Sequence, residues 1–160
     1  MTKFDQDYEM GKNSELESHQ DLESIFNCKL IHDPETFAHF DFQGENIYVE
    51  LKTRPCLSYE NNKFYYTNEK TEDKREIDSL YFDTPKKWFA YKRRDSNIKF
   101  YIVWKISNKY FYWKINHDKK DYYIESQFRD CGHGYKQPRE VVNVYTSAVT
   151  TAPYYKLNFE

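Results

Sequence analysis

The stretch FDFQGENIYVELKTR, residues 40–54, constrains the fold more than any other part of this chain. Apolar and polar side chains alternate on both sides of Gly44, the pattern of two half-buried strands joined by a tight turn. With Gly44 and Glu45 as the turn, Phe42 faces Ile47 and Phe40 faces Val49, while on the other face Asp41 stands opposite Tyr48 and His39 opposite Glu50. Asp41 and Glu50 then become diagonal neighbours roughly 7 to 8 Å apart, with Lys52 roughly 7 Å further along the same face. A slip of one residue would turn the apolar set outward, so the charged face is tied to the burial of the opposite one.

The rest of the chain reads as helix, strands, helix, strands. Residues 1–12 are expected to be a flexible arm and 13–160 a single domain. In SELESHQDLESIFN, Ser14 and Glu17 have the spacing of a capping box. Helical periodicity then groups Glu15, His19, Leu22, Glu23 and Phe26 in one sector, opposite Glu17, Asp21 and Ser24. A carboxylate on the face that Leu22 and Phe26 bury carries a desolvation cost unless something pairs with it. Residues 30–43 and 46–54 read as strands, 56–76 as a loop or ragged hairpin, and IDSLYFD as a short strand. Thr84 and Pro85 start a second helix, PKKWFAYKRR. NIKFYIVWKIS and KYFYWKIN are β-branched and aromatic, the signature of two more strands separated at Ser107 and Asn108, and YYIESQF adds another. Residues 139–160 carry the weakest local signal.

Charge divides the chain more sharply than its net value of −2 suggests. Residues 1–50 hold 3 Lys/Arg against 12 Asp/Glu, whereas residues 84–120 hold 11 against 2. A basic segment interleaved with Trp, Tyr and Phe suits a nucleic-acid surface, since cations meet phosphates and rings meet bases; a Lys-rich solvated helix and strand edge is the plainer explanation. Lys87, Tyr91 and Lys92 on the second helix, and Arg54 after the hairpin, are candidate phosphate contacts. Trp88, Trp104 and Trp113 are expected in the core rather than as stacking platforms. Three widely spaced cysteines do not form a disulfide framework. Cys131 and His133 lack the partners of a zinc site and read as loop residues. A polar, acidic N-terminus and no long apolar run lead to the expectation of an intracellular protein, in the cytoplasm or nucleus of a host cell, neither secreted nor membrane-bound.

The chemistry lies in Asp41, Glu50 and Lys52. Converging carboxylates repel unless a cation lies between them, and Mg²⁺ is commonly held by one or two carboxylates, water and substrate phosphate. A surface hairpin with an ordinary Glu and Lys is the bland alternative. Asp41, a spacer, then Glu50-Leu51-Lys52 closing an apolar strand resembles the D…(D/E)xK signature of the PD-(D/E)XK nuclease superfamily. Glu15, following Gly11 on the first helix, is similar to the additional acid that the helix of that family supplies. The resemblance implies an α/β, restriction-endonuclease-like αβββαβ core, a central mixed sheet flanked by helices, here with extra C-terminal strands. It also implies a deoxyribonuclease that hydrolyses phosphodiester bonds with Mg²⁺ or Mn²⁺. Asp41, Glu50 and Glu15 would bind the metal, Lys52 would assist the attacking water, and His19 and His39 would be polar neighbours of the site. The resemblance spans residues 11–115. Phe40, where the family usually has Pro, departs from its pattern.

DNA is the favoured substrate on this resemblance. Endo or exo cleavage, DNA or RNA, and a homodimer that cuts two strands all stay open. A catalytically inactive nucleic-acid-binding module and a Tyr-rich protein-interaction domain are the alternatives. High Lys, Asn, Tyr and Phe with only 4 Gly suits an AT-rich coding genome such as that of a virus or phage.

Overall fold

A computed structural model describes residues 2–33, 40–82, 97–116, 118–130 and 136–153. Its first element, α1, runs Lys3–Phe26, and Thr2 caps it: the Thr2 hydroxyl accepts from the Asp5 N–H, and the Asp5 carboxylate accepts from the Thr2 N–H, both at 3.1 Å. The expected arm is therefore helical from Lys3 onward, and the cap lies at Thr2 rather than Ser14. Ser14 is instead buried within the helix, with its hydroxyl hydrogen-bonded to that of Thr53. Asn27, in the left-handed region at φ 51°, ends the helix.

Twelve strands follow among the described residues. β1 (Ile31–His32), β2 (Phe42–Gly44), β3 (Ile47–Thr53), β8 (Lys99–Ile106), β9 (Lys109–Lys114) and β12 (Thr150–Thr151) form one sheet in the order β1-β2-β3-β8-β9-β12. Every neighbouring pair is antiparallel except β3 and β8, which are parallel. β4 (Leu57–Glu60), β5 (Lys63–Thr67) and β6 (Lys74–Ile77) make a small antiparallel sheet. Residues 56–76, expected to be loop or ragged hairpin, are thus largely this sheet. β7 (Ser79–Phe82), β10 (Tyr122–Asp130) and β11 (Lys136–Tyr145) make another antiparallel sheet, in the order β10-β11-β7. The two-residue turns at Asn61–Asn62 and Ser107–Asn108 have positive φ at both positions, as a hairpin turn matched to strand twist requires.

The protein is thus mixed α/β, with a six-stranded mixed sheet at its centre. α1 covers one face, where Leu22, Leu30, Phe42, Val49, Leu51 and Val103 form a core. The other face is covered by strands: Ile102, Trp104, Ile106, Phe111 and Trp113 pack against Leu57 and Phe64 of one small sheet and Leu80, Phe82, Val142 and Val144 of the other. Trp104 and Trp113 are core residues, as expected. Among the described residues α1 is the one α-helix, so the sheet is not flanked by helices there. The expected second helix, with Lys87, Trp88, Tyr91 and Lys92, lies outside the described residues, as do His39, Cys131 and His133. Cys28 and Cys56 are free thiols. No helix among the described residues is long and apolar enough to cross a membrane.

The hairpin register is shifted by two residues from the expected one, and the expected faces hold only from Phe42 onward: Phe42 shares a core with Ile47 and Val49, whereas Phe40, expected beside them, packs with Tyr48 and Phe100 on the other side. Phe42 pairs with Val49, Gln43 with Tyr48 and Gly44 with Ile47. The turn is Glu45–Asn46, with Asn46 at φ 59°. Asn tolerates this conformation because its short side chain can bond locally. Gly44 serves a different purpose: a Cβ there would lie 2.7 Å from the Lys29 carbonyl oxygen and 2.8 Å from Ile47 Cγ2, so glycine allows the chain after α1 to pass close to the hairpin.

Candidate functional site

The β2–β3 ladder extends only as far as the Phe42–Val49 pair, and past it the edge of β3 is satisfied differently. The Leu51 N–H donates to Asp41 Oδ2 at 2.6 Å, so the Asp41 carboxylate takes the place of a strand partner. Alternation sends Glu50 and Lys52 to the opposite face from Val49 and Leu51, and Lys52 Nζ lies 2.8 Å from Glu50 Oε1. Glu15 comes from α1, 8% exposed, and Glu50 is 3% exposed. Both are deeper than an unpaired carboxylate tolerates.

Glu15 has two basic side chains beside it. His32 Nε2 donates to its Oε2 at 2.6 Å, and Lys12 Nζ is 3.5 Å from the same oxygen. His32 is a site residue that the sequence reading missed. It lies on the two-residue strand β1, too short to show alternation, and no motif includes it. His19, the expected polar neighbour, donates from Nε2 to the Leu30 carbonyl at 2.6 Å and packs against Phe42 at a tilt, with ring centroids 5.1 Å apart. It braces the chain after α1 rather than contacting an acid of the hairpin.

Electrostatics joins the three carboxylates. Burial pushes the Asp41 carboxyl well above the usual range, and the charges of Glu50 and Glu15 push it in the same direction; the Leu51 N–H and the Lys52 ammonium oppose them without cancelling the effect. Asp41, Glu50, Lys52 and Glu15 all border one cavity of about 900 Å³. The first turns of α1, exposed from Asp5 to Met10, overhang this cavity through Lys3, Asp7, Tyr8 and Met10. Arg54 also lines it, with its guanidinium 4.4 Å from the Tyr81 ring centroid. Among the described residues no three His, Cys, Asp or Glu side chains are grouped tightly enough to hold a metal ion as they stand. Oxygen atoms of Glu15 and Glu50 are engaged by His32, Lys12 and Lys52 instead.

Comparison of the chain with protein-family models, with curated proteins and with solved structures finds no match.

Proposed function

We propose that this protein is a metal-dependent nuclease of the PD-(D/E)XK type, hydrolysing phosphodiester bonds with Mg²⁺ or Mn²⁺, and that DNA is its favoured substrate. One observation carries the reading: Glu15, Asp41, Glu50 and Lys52, singled out by type and spacing, border a single cavity, with the acids close enough that two of them raise the proton affinity of the third. The order of elements supports it, since a helix, an antiparallel hairpin and a strand returning parallel to β3 resemble the restriction-endonuclease-like core. The site has the chemistry of a dication site: three buried or half-buried carboxylates supply hard oxygen donors, and a divalent cation relieves their mutual repulsion.

Asp41 and Glu50 would hold the metal, with Glu15 completing the set once His32 and Lys12 yield its oxygens. When bound, the metal supplies a polarised phosphoryl oxygen and an acidified water. Lys52 has a role of its own. Its ammonium, held by Glu50, stands ready to orient the attacking water and to stabilise charge growing on the phosphorus oxygens.

Purified protein incubated with single-stranded, double-stranded and branched DNA and with RNA, in Mg²⁺ or Mn²⁺, tests the reading. Glu50→Gln and Lys52→Ala are each expected to reduce cleavage by about a hundredfold or more with the fold intact, the scale of losing one charge-stabilising group. Cleavage that persists in both variants would overturn the proposal, as would none by the wild-type protein.

A further inference from the structure

We infer that the cavity above the carboxylates receives a single strand of nucleic acid, whose bases stack on tyrosines already paired with cations. The inference rests on the nuclease reading for the identity of the reacting phosphate, but strand binding is measurable without cleavage.

Three tyrosines line the cavity, and each has a cation against its ring. Arg54 lies 4.4 Å from the Tyr81 centroid, Arg75 lies 5.3 Å from that of Tyr66, and Lys12 lies 5.8 Å from that of Tyr8. They come from three separate elements, β7, β5 and α1, so no local repeat imposes the pattern. Each cation lies over its ring, so an arriving strand would draw the cation to a phosphate and take the uncovered ring face with a base, an exchange that needs no particular base. Glu69, an acid in the wall, accepts from Cys56 Sγ at 3.0 Å and is held below the usual carboxylate range by that bond and by Lys3, so its charge is partly answered within the protein.

Size and depth point the same way. About 900 Å³ matches a pocket for a drug-sized ligand. That is room for a few unstacked nucleotides. Glu15 and Glu50 are buried, so a phosphate must travel inward to reach them. A lone strand can make that approach, whereas a paired strand brings its complement with it.

Fluorescence anisotropy in EDTA tests this on the full chain with a ~12-nucleotide DNA strand, its RNA counterpart and the matching duplex, a length within the usual single-strand site size. The DNA or RNA strand is expected to bind at least about tenfold more tightly than the duplex. Tyr66→Leu and Tyr81→Leu should each weaken strand binding by about 5- to 100-fold, with Tyr66→Phe retaining wild-type affinity. Lys70→Gln, on an exposed turn lining the cavity, should lower affinity and reduce the salt slope by about one, and it reports even where a tyrosine variant fails to fold. Duplex binding as tight as strand binding would overturn the inference, as would unchanged strand affinity in folded Leu variants or in Lys70→Gln. Strand binding with no cleavage in either metal would keep this inference and remove the nuclease reading. Duplex preference with Lys52-dependent cleavage would do the reverse.

Discussion

Asp41 is half-buried, and its desolvation together with the charges of Glu50 and Glu15 makes the folded chain hold its proton more tightly than the unfolded chain does. Its contribution to stability is complete below the ordinary aspartate value of 3.8 and is lost as pH rises through the elevated folded value. Asp41→Asn removes the charge while keeping an oxygen for the Leu51 N–H. Without metal, this variant is expected to melt at a higher temperature than the wild type near neutral pH and to lose less stability as pH rises from 4. Thermal melts across pH in EDTA check this; a variant that melts lower with an unchanged pH slope would contradict the electrostatic account. The same residue shows what sequence could reveal. Side-chain parity from Phe42 to Thr53 was legible because burial of Phe42, Val49 and Leu51 enforces it, but parity failed at Phe40, which precedes the paired strand and packs with Tyr48 and Phe100. The exact register was not, because Gly44 resembles a turn glycine although it is needed for close approach to Lys29, and Asn46 turns the chain.

At the level of elements, α1 depends on contacts that local pattern cannot reveal. Ser14-x-x-Glu17 imitates a cap, yet Ser14 reaches across to Thr53, and the true box is Thr2 with Asp5. The face carrying Glu15 and Leu22 was legible from period alone. The anchoring by Tyr110 was not: its hydroxyl donates to Asp21 Oδ2 at 2.5 Å and bonds Ser18 Oγ at 2.9 Å, linking α1 to β9 across a sequence gap that periodicity does not span. Burial and the Asp21 bond push the Tyr110 hydroxyl well above its ordinary range, so it stays protonated and keeps donating. Leu22→Ala is expected to cost about 2–5 kcal/mol. Tyr110→Phe, which strands polar partners, should cost about 1–3 kcal/mol. Urea unfolding measures both; an unchanged midpoint in either would show that α1 is held elsewhere.

For the whole molecule, the helix, the hairpin and the sheet beyond them meet at one acidic site, and a dication bound there would be linked to folding. Mg²⁺ or Mn²⁺ at 100 times its dissociation constant is expected to stabilise the protein by about 2.7 kcal/mol. The rise in melting temperature should vanish in Glu50→Gln, and an equal rise in that variant would place the ion elsewhere. The covering of the second sheet face by small antiparallel sheets was not legible. Segment 56–76 is rich in Asn, Lys and Glu, and its strands are defined by pairing and by the burial of Leu57 and Phe64 more than by alternation.

The parallel ladder between β3 and β8 also sets an order of events in synthesis. Ile47–Thr53 is completed only by Lys99–Lys105, and the β4–β7 strands lie between the two. Parallel pairing across such a gap must close a long loop before it is rewarded. A ribosome therefore releases Glu50 and Lys52 well before the strand that fixes them exists. Chains that end between Lys52 and Lys99 would carry every acid of the site but lack the strand that fixes them, so the site takes shape late, once well over half of the polypeptide has emerged.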